Sequence, residues 1–204
     1  MDEQYPKTEA AWQVRDRFLE LHSRWMTLIG EHLQDSEGRT LEYWRVEKAD
    51  SVIVLPIQCR DVTTGATEQI LLPQASYRPG IGQTTLDFPG GRVPVGVLPE
   101  QAAIATLQRE LGVDASAIRQ LISLNPKGWA VNSSFSNQKL YGFVAHLDAS
   151  VALQTDPIAM TYPVTAIAVQ ALLSQLSCLQ CRAVLLEWYT NLWTVSCQGE
   201  MSQI

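Results

Sequence analysis

Apolar positions along the chain follow two different rhythms. The run S-V-I-V-L-P-I over 51–57 is almost continuously apolar, the pattern of a central strand buried on both faces. Leu28 to Leu33 and Leu41 to Val46 read as strands around the turn Asp35-Ser36-Glu37-Gly38. Gln69 to Leu72 is another short strand, after the turn Thr63-Thr64-Gly65, and Leu121 to Asn125 and Leu140 to Leu147 add two more. Elsewhere the spacing is three and four. Ala11, Val14, Phe18, Leu21 and Trp25 predict an amphipathic helix from Thr8 to about Arg24, its stripe available to its own domain or to a second subunit. Two further helices are expected over 163–176 and 179–193, where Leu172, Leu176, Leu179, Ala183, Leu186 and Trp193 form an apolar face beside Trp188 and Tyr189. Between these blocks, Thr85 to Val113 is punctuated by glycine and proline. Leu86 and Phe88 read as a strand end, Pro89-Gly90-Gly91 as a turn, and Pro94, Gly96 and Pro99 as breaks in a loop. A helix starts at Pro99, where proline fits the first turn and Glu100 suits the positive helix end, and Gly112 stops it.

Composition narrows the class. With 204 residues, 46% hydrophobic and 18% charged, the chain is expected to form one soluble globular domain (49–204) preceded by an N-terminal helix and β-hairpin element (1–48). A net charge of -6 and the absence of any basic cluster longer than two residues argue against nucleic acid as a partner. No apolar run reaches 18 residues and M-D-E-Q-Y-P-K lacks a signal pattern, so no membrane span and a cytoplasmic location are expected. Four cysteines stand at 59, 178, 181 and 197. Cys178-Leu179-Gln180-Cys181 has metal or redox spacing, but no second pair or nearby histidine completes a zinc site, so the pair reads as core or chance spacing. His22, His32 and His146 are scattered, and no internal repeat or low-complexity segment is present.

A glycine-rich strand-loop-helix brings backbone close to a ligand, often a phosphate. Here the order of residues adds more. The stretch T-L-D-F-P-G-G-R-V-P-V-G-V-L-P-E-Q-A-A-I-A-T-L-Q-R-E-L-G-V resembles the Nudix box. Laid on that pattern without a gap, Gly91 takes the first glycine, Leu107 the first aliphatic position and Glu110 the last glutamate, and Gly112 and Val113 close the motif. Val97, Ala105, Thr106 and Arg109 occupy the other four fixed positions. A register shifted onto Arg109-Glu110-Leu111 fits less well, putting Val95 where glycine belongs and Gln101 where the first glutamate belongs. Upstream, Tyr77-Arg78-Pro79 followed by Asp87-Phe88-Pro89-Gly90-Gly91 resembles the ADP-ribose pyrophosphatase branch of the superfamily, and Ser133 to Tyr141 resembles its substrate-side loop. The resemblance covers roughly residues 25 to 192. It implies an α/β (α+β) fold, the Nudix-type α/β/α sandwich with a mixed central sheet, here with the added N-terminal helix and β element. It also implies a homodimer joined largely through the β element.

In that family the box helix turns several carboxylates toward divalent cations, commonly Mg²⁺, which bridge a substrate diphosphate and help activate water. Positions 106, 109 and 110 share one helical face, which carries Thr106, Arg109 and Glu110 in place of three carboxylates. Glu110 is thus the one remaining metal ligand of the motif. Arg109 would repel the ion; it would pair with Glu110, sit as a solvated surface position, or take the cation's place against a ligand phosphate. Rebuilding a metal site from Glu100, Glu110 and Asp114 is awkward, because Glu100 and Glu110 lie roughly 80° apart on the helical wheel.

The resemblance also implies ligand contacts. Trp44 matches a position where relatives stack an aromatic on adenine, against the alternative of a cross-strand aromatic pair. Arg78 would face the ribose-diphosphate part or form a surface salt bridge. Asp87 stands for the usual glutamate, a methylene shorter; Gly91, the motif's first glycine, belongs to the ligand-binding set, and Arg92 after the turn would add positive charge near a diphosphate. Gln138 falls near a position where relatives carry an acid that activates water. Three readings follow: a catalytically degenerate Nudix protein that binds a nucleotide-sugar-like ligand or a protein partner, a working Mg²⁺-dependent pyrophosphatase with shifted ligands, and a structural subunit that docks on a larger assembly through its tryptophan-rich terminal helices. No residue is assigned a catalytic role.

Overall fold

The computed structural model describes the backbone of residues 12–59, 68–149 and 158–201, and side chains through residue 191. The expected turn Thr63-Thr64-Gly65 lies outside the described residues, as do the side chains of Trp193 and Cys197. The chain forms two compact units. Of the described residues, one unit comprises 12–49 with Ala130–Gln138, the other those within Asp50–Trp129 and from Lys139 onward.

The N-terminal unit is an antiparallel sheet in the order β1-β2-β3, with β1 at Gln13–His22, β2 at Thr27–Gln34 and β3 at Thr40–Glu47. The expected hairpin is present. Asp35 Oδ1 accepts from the backbone N–H of Glu37 and Arg39, each at 2.9 Å, and Gly38 supplies the positive φ of 82° that the turn requires. Glu31, 2% exposed, faces Arg45 Nε at 2.6 Å and Arg17 Nε at 3.5 Å, so its buried carboxylate is held between two guanidiniums from the flanking strands.

The predicted N-terminal helix is replaced by a strand over its described part. β1 pairs with β2 from Gln13↔Gln34 to His22↔Thr27, with register breaks between Val14 and Asp16 and between Arg17 and Leu19. Each bulge inserts one residue, which turns a strand's period of two into local steps of three. The apolar spacing therefore imitated a helix. Val14, Phe18, Leu21 and Trp25, the supposed packing stripe, remain 42–61% exposed.

In the second unit the apolar run becomes β4 (Ser51–Gln58), buried at every position after the first. It sits inside a seven-stranded sheet ordered β10-β11-β4-β5-β12, with β8 paired to β4 and β9 to β11. The partners are β5 (Gln69–Pro73), β8 (Gly90–Arg92), β9 (Ile118–Ser123), β10 (Trp129–Ala130), β11 (Lys139–Leu147) and β12 (Ile158–Pro163). β11 runs parallel to β4, whereas β5 and β8 run antiparallel to it, so the sheet is mixed. A separate ribbon pairs β6 (Ser76–Arg78) with β7 (Gln83–Thr85).

Strand alternation distributes the helices. Val52 and Val54 of β4, with Phe143 and Ala145 of β11, pack on Ala103, Leu107 and Leu111 of helix α1 (Pro99–Leu111). The intervening Gly142 points the other way, where a Cβ would come within 3.0 Å of Val184 on helix α3 (Leu179–Met201). Helices therefore cover both sheet faces, which is why β4 tolerates an unbroken apolar sequence. Helix α2 (Ala166–Gln175) begins at Thr165, whose Oγ1 accepts from the Ala168 N–H at 3.3 Å.

Two local expectations change here. Leu86 and Phe88 lie beyond β7 and end no strand, and Gly90-Gly91 is not a free turn but joins β4, opposite Ile53 and Val52. The approach is close at both glycines. A Cβ on Gly90 would lie 2.7 Å from Ile53 Cδ1, and one on Gly91 would lie 2.9 Å from Thr106 Oγ1. β12, absent from the sequence reading, completes the sheet edge beside β5.

Candidate functional site

The box helix is built as its sequence predicts. Pro99 occupies the first turn, and Gln101 Oε1 accepts the N–H of Leu98 at 3.3 Å. Gly112 ends the helix at φ 66°, its N–H returning to Gln108 O at 3.1 Å while Val113 N–H reaches Leu107 O at 3.4 Å. Leu107 and Val113 are buried and anchor the helix in the core.

Its polar face is rearranged. Thr106 is 1% exposed and lies beneath Gly91. Arg109 Nη2 donates to the Gly90 carbonyl at 3.0 Å and to Glu110 Oε1 at 2.7 Å. Glu110 Oε2 accepts the Gly90 N–H at 3.2 Å. Residues 109 and 110 thus hold both backbone groups of Gly90 and fasten β8 to α1. Glu100 lies in the first turn of α1 and Glu110 in the last, about 15 Å apart along the axis at ~1.5 Å per residue. That separation excludes them as co-ligands of one ion.

Beside β8 opens a cavity of about 480 Å³ lined by Arg78, Ile81, Asp87, Gly91, Arg92 and Cys178, among others. A neighbouring hollow of about 440 Å³ is bordered by Ser76, Arg78, Asp87 and Glu110. Arg78 and Asp87 border both. Arg78 Nε and Nη2 each reach Asp87 Oδ2 at 2.7 Å, and Thr85 Oγ1 donates to the same oxygen at 2.8 Å. One carboxylate oxygen thus orients the guanidinium at the border of both hollows. Asp87 is 8% exposed and set into the wall, whereas the Arg78 side chain is half exposed at the cavity border.

The predicted residues Arg78, Asp87, Gly91 and Arg92 come together on one cavity. Arg109 and Glu110 brace the Gly90 backbone behind it, and Glu110 also borders the second hollow. Trp44 belongs to the N-terminal unit. It packs edge-on against Phe18 at 5.3 Å and donates Nε1 to Glu42 at 2.8 Å. Gln138 belongs to that unit as well, its Nε2 donating to the Ala49 carbonyl at 2.9 Å.

The cysteine pair, read from sequence as core or chance spacing, has a definite place. Cys178 directly precedes α3, Cys181 sits in its first turn, and both line the 480 Å³ cavity. Cys181 Sγ accepts from the Phe88 N–H at 3.4 Å and lies 3.9 Å from Asp87 Oδ1. A hydrogen bond from Cys181 lowers the Cys178 thiol to about 6 despite its partial burial, and the same bond with burial raises Cys181. A second cluster joins Cys59, Glu68 and His146, with Cys59 Sγ 3.5 Å from Glu68 Oε1 and 3.8 Å from His146 Nδ1.

This mixed sheet between helices, with a glycine strand fastened to a capped box helix, is the Nudix-type α/β architecture. Among solved structures, the chain is similar to a crystal structure of an ADP compounds hydrolase, with a TM-score of 0.70 and 18% sequence identity over 92% of this chain and 97% of that one. No family model and no curated protein matches the sequence. The similarity establishes the fold.

Proposed function

We propose that this chain binds a nucleoside-diphosphate-sugar-like ligand, of which ADP-ribose is the test case, and does not hydrolyse it efficiently. The observation that carries this reading is the use already made of the box carboxylate: one oxygen of Glu110 holds the Gly90 N–H and the other holds Arg109. Thr106 is neutral and buried, and Arg109 is a cation, so the donor set on this face does not fit Mg²⁺. Ligand-binding features persist nearby. The cavity volume suits a small ligand, and Arg78 is presented by a fixed carboxylate, a geometry that favours phosphate recognition. The similar ADP compounds hydrolase supports a nucleotide as the ligand class. Calorimetric titration of ADP-ribose in the presence of a chelator tests the binding. Saturable heat near one equivalent per chain is expected, and its absence would turn the search toward a protein partner.

The exposed apolar side chains of the N-terminal unit support self-association as a homodimer. Val14, Leu21, Trp25 and Met26 are 43–61% exposed on and just beyond β1, and exposed apolar groups of this kind mark interaction surfaces. Multi-angle light scattering is expected to show a dimer that the double substitution Leu21→Glu/Trp25→Glu dissociates by at least tenfold in Kd. A monomeric wild type removes the idea.

A further inference from the structure

We propose that Asp87, Cys178 and Cys181 form a binding site for a thiophilic divalent cation, zinc by its chemistry. The site is separate from the carboxylate face of the box helix, and it does not depend on the nucleotide reading.

The donor set comes first. Two sulfurs and one carboxylate oxygen, all within 4.8 Å of one another, converge beside the cavity. Zinc takes thiolate at about 2.3 Å and carboxylate at roughly 2.0–2.2 Å, so tetrahedral ligand atoms stand about 3.5–3.8 Å apart. Cys181 Sγ and Asp87 Oδ1 are already 3.9 Å apart. Closing the site therefore asks for side-chain adjustments of tenths of an ångström between these two donors.

Supporting contacts orient the donors. Asp87 Oδ2 is occupied by Arg78 and Thr85, and its other oxygen, Oδ1, is the one nearest Cys181. The Phe88 N–H bonds to Cys181 Sγ and fixes its position beside Asp87. Charge is also balanced: two thiolates and a carboxylate give -3, against +2 from the ion and +1 from Arg78. Asp87 and Cys181 are buried while Cys178 is partly exposed at the cavity wall. Three protein ligands then leave a fourth position for water or a ligand donor, the arrangement of zinc sites that act on or sense a bound molecule.

Cobalt(II) titration of the reduced protein under anaerobic conditions, followed by displacement with zinc, tests the site. Expected are a thiolate-to-cobalt charge-transfer band with tetrahedral visible absorption, and tight competition by zinc. Cys178→Ser abolishes the charge-transfer band from this site. Asp87→Asn, which keeps the shape of the side chain, weakens zinc binding by more than the ~10–100-fold typical of a lost supporting contact. Cys59→Ser, in the other cluster, leaves the signal in place. Absence of the band, its persistence in Cys178→Ser, or a thiol count showing Cys178 and Cys181 joined as a disulfide under reducing conditions overturns the proposal. Each readout is independent of nucleotide binding, so its failure and the failure of the nucleotide reading are distinguishable.

Discussion

In a chelator, the double variant Thr106→Glu/Arg109→Glu melts well below the wild type, and Mg²⁺ raises its melting temperature. Thr106 is 1% exposed beneath Gly91, and Arg109 supplies the cation that pairs with Glu110. The variant sets three carboxylates at i, i+3 and i+4 on one helical face, one of them in a buried position, and deletes the guanidinium that bonds Gly90. An uncompensated buried charge costs roughly 3 kcal/mol or more, which lowers the melting temperature of a chain this size by roughly 6–12 °C. Mg²⁺ at about a hundred times its Kd returns roughly 2.7 kcal/mol, or roughly 5–10 °C. The wild type is expected to show no such dependence on Mg²⁺. Equal melting of the double variant with and without the ion would count against the alignment of this helix with a metal-binding motif.

Arg78→Lys separates ligand recognition from stability. Lysine keeps a positive charge beside Asp87, so the melting temperature stays within about 2–4 °C of the wild type, equivalent to about 1 kcal/mol. The planar fork is lost. Arginine presents several N–H groups in fixed directions, and Asp87 Oδ2 already sets the orientation of that plane. Losing a charge-assisted hydrogen bond costs about 1.5–3 kcal/mol, so ADP-ribose affinity is expected to fall by roughly ten- to a hundredfold. Unchanged affinity in Arg78→Lys would place the phosphate contact elsewhere.

What the sequence revealed and what it hid divide along physical lines. Local signals were readable: Pro99 and Gly112 bound α1, Asp35 and Gly38 turn the hairpin, and the apolar run at 51–57 gives a strand covered on both faces. β1 was hidden because two bulges disturb its alternation, and because pairing with β2 outweighs local helical spacing. The resemblance singled out Arg78, Asp87, Gly91 and Arg92, and the fold sets all four on the wall of one cavity. The attachment of Arg109 and Glu110 to Gly90 needs the β8–β4 pairing that brings glycine backbone over the helix. Cys178 and Cys181 carried a ligand spacing whose third donor, Asp87, is distant in sequence and meets them only through the packing of α3 against the sheet. Pattern within a window could not supply that residue.

Under the proposed function, the chain holds a nucleotide-sugar-like ligand without a carboxylate-bound Mg²⁺. Titrating ADP-ribose calorimetrically with and without Mg²⁺, then assaying the same mixtures for AMP, separates binding from hydrolysis. Binding heat that is the same in both titrations, with no accumulation of AMP, is expected. Binding that appears only with Mg²⁺, with AMP released stoichiometrically over time, would contradict the proposed function.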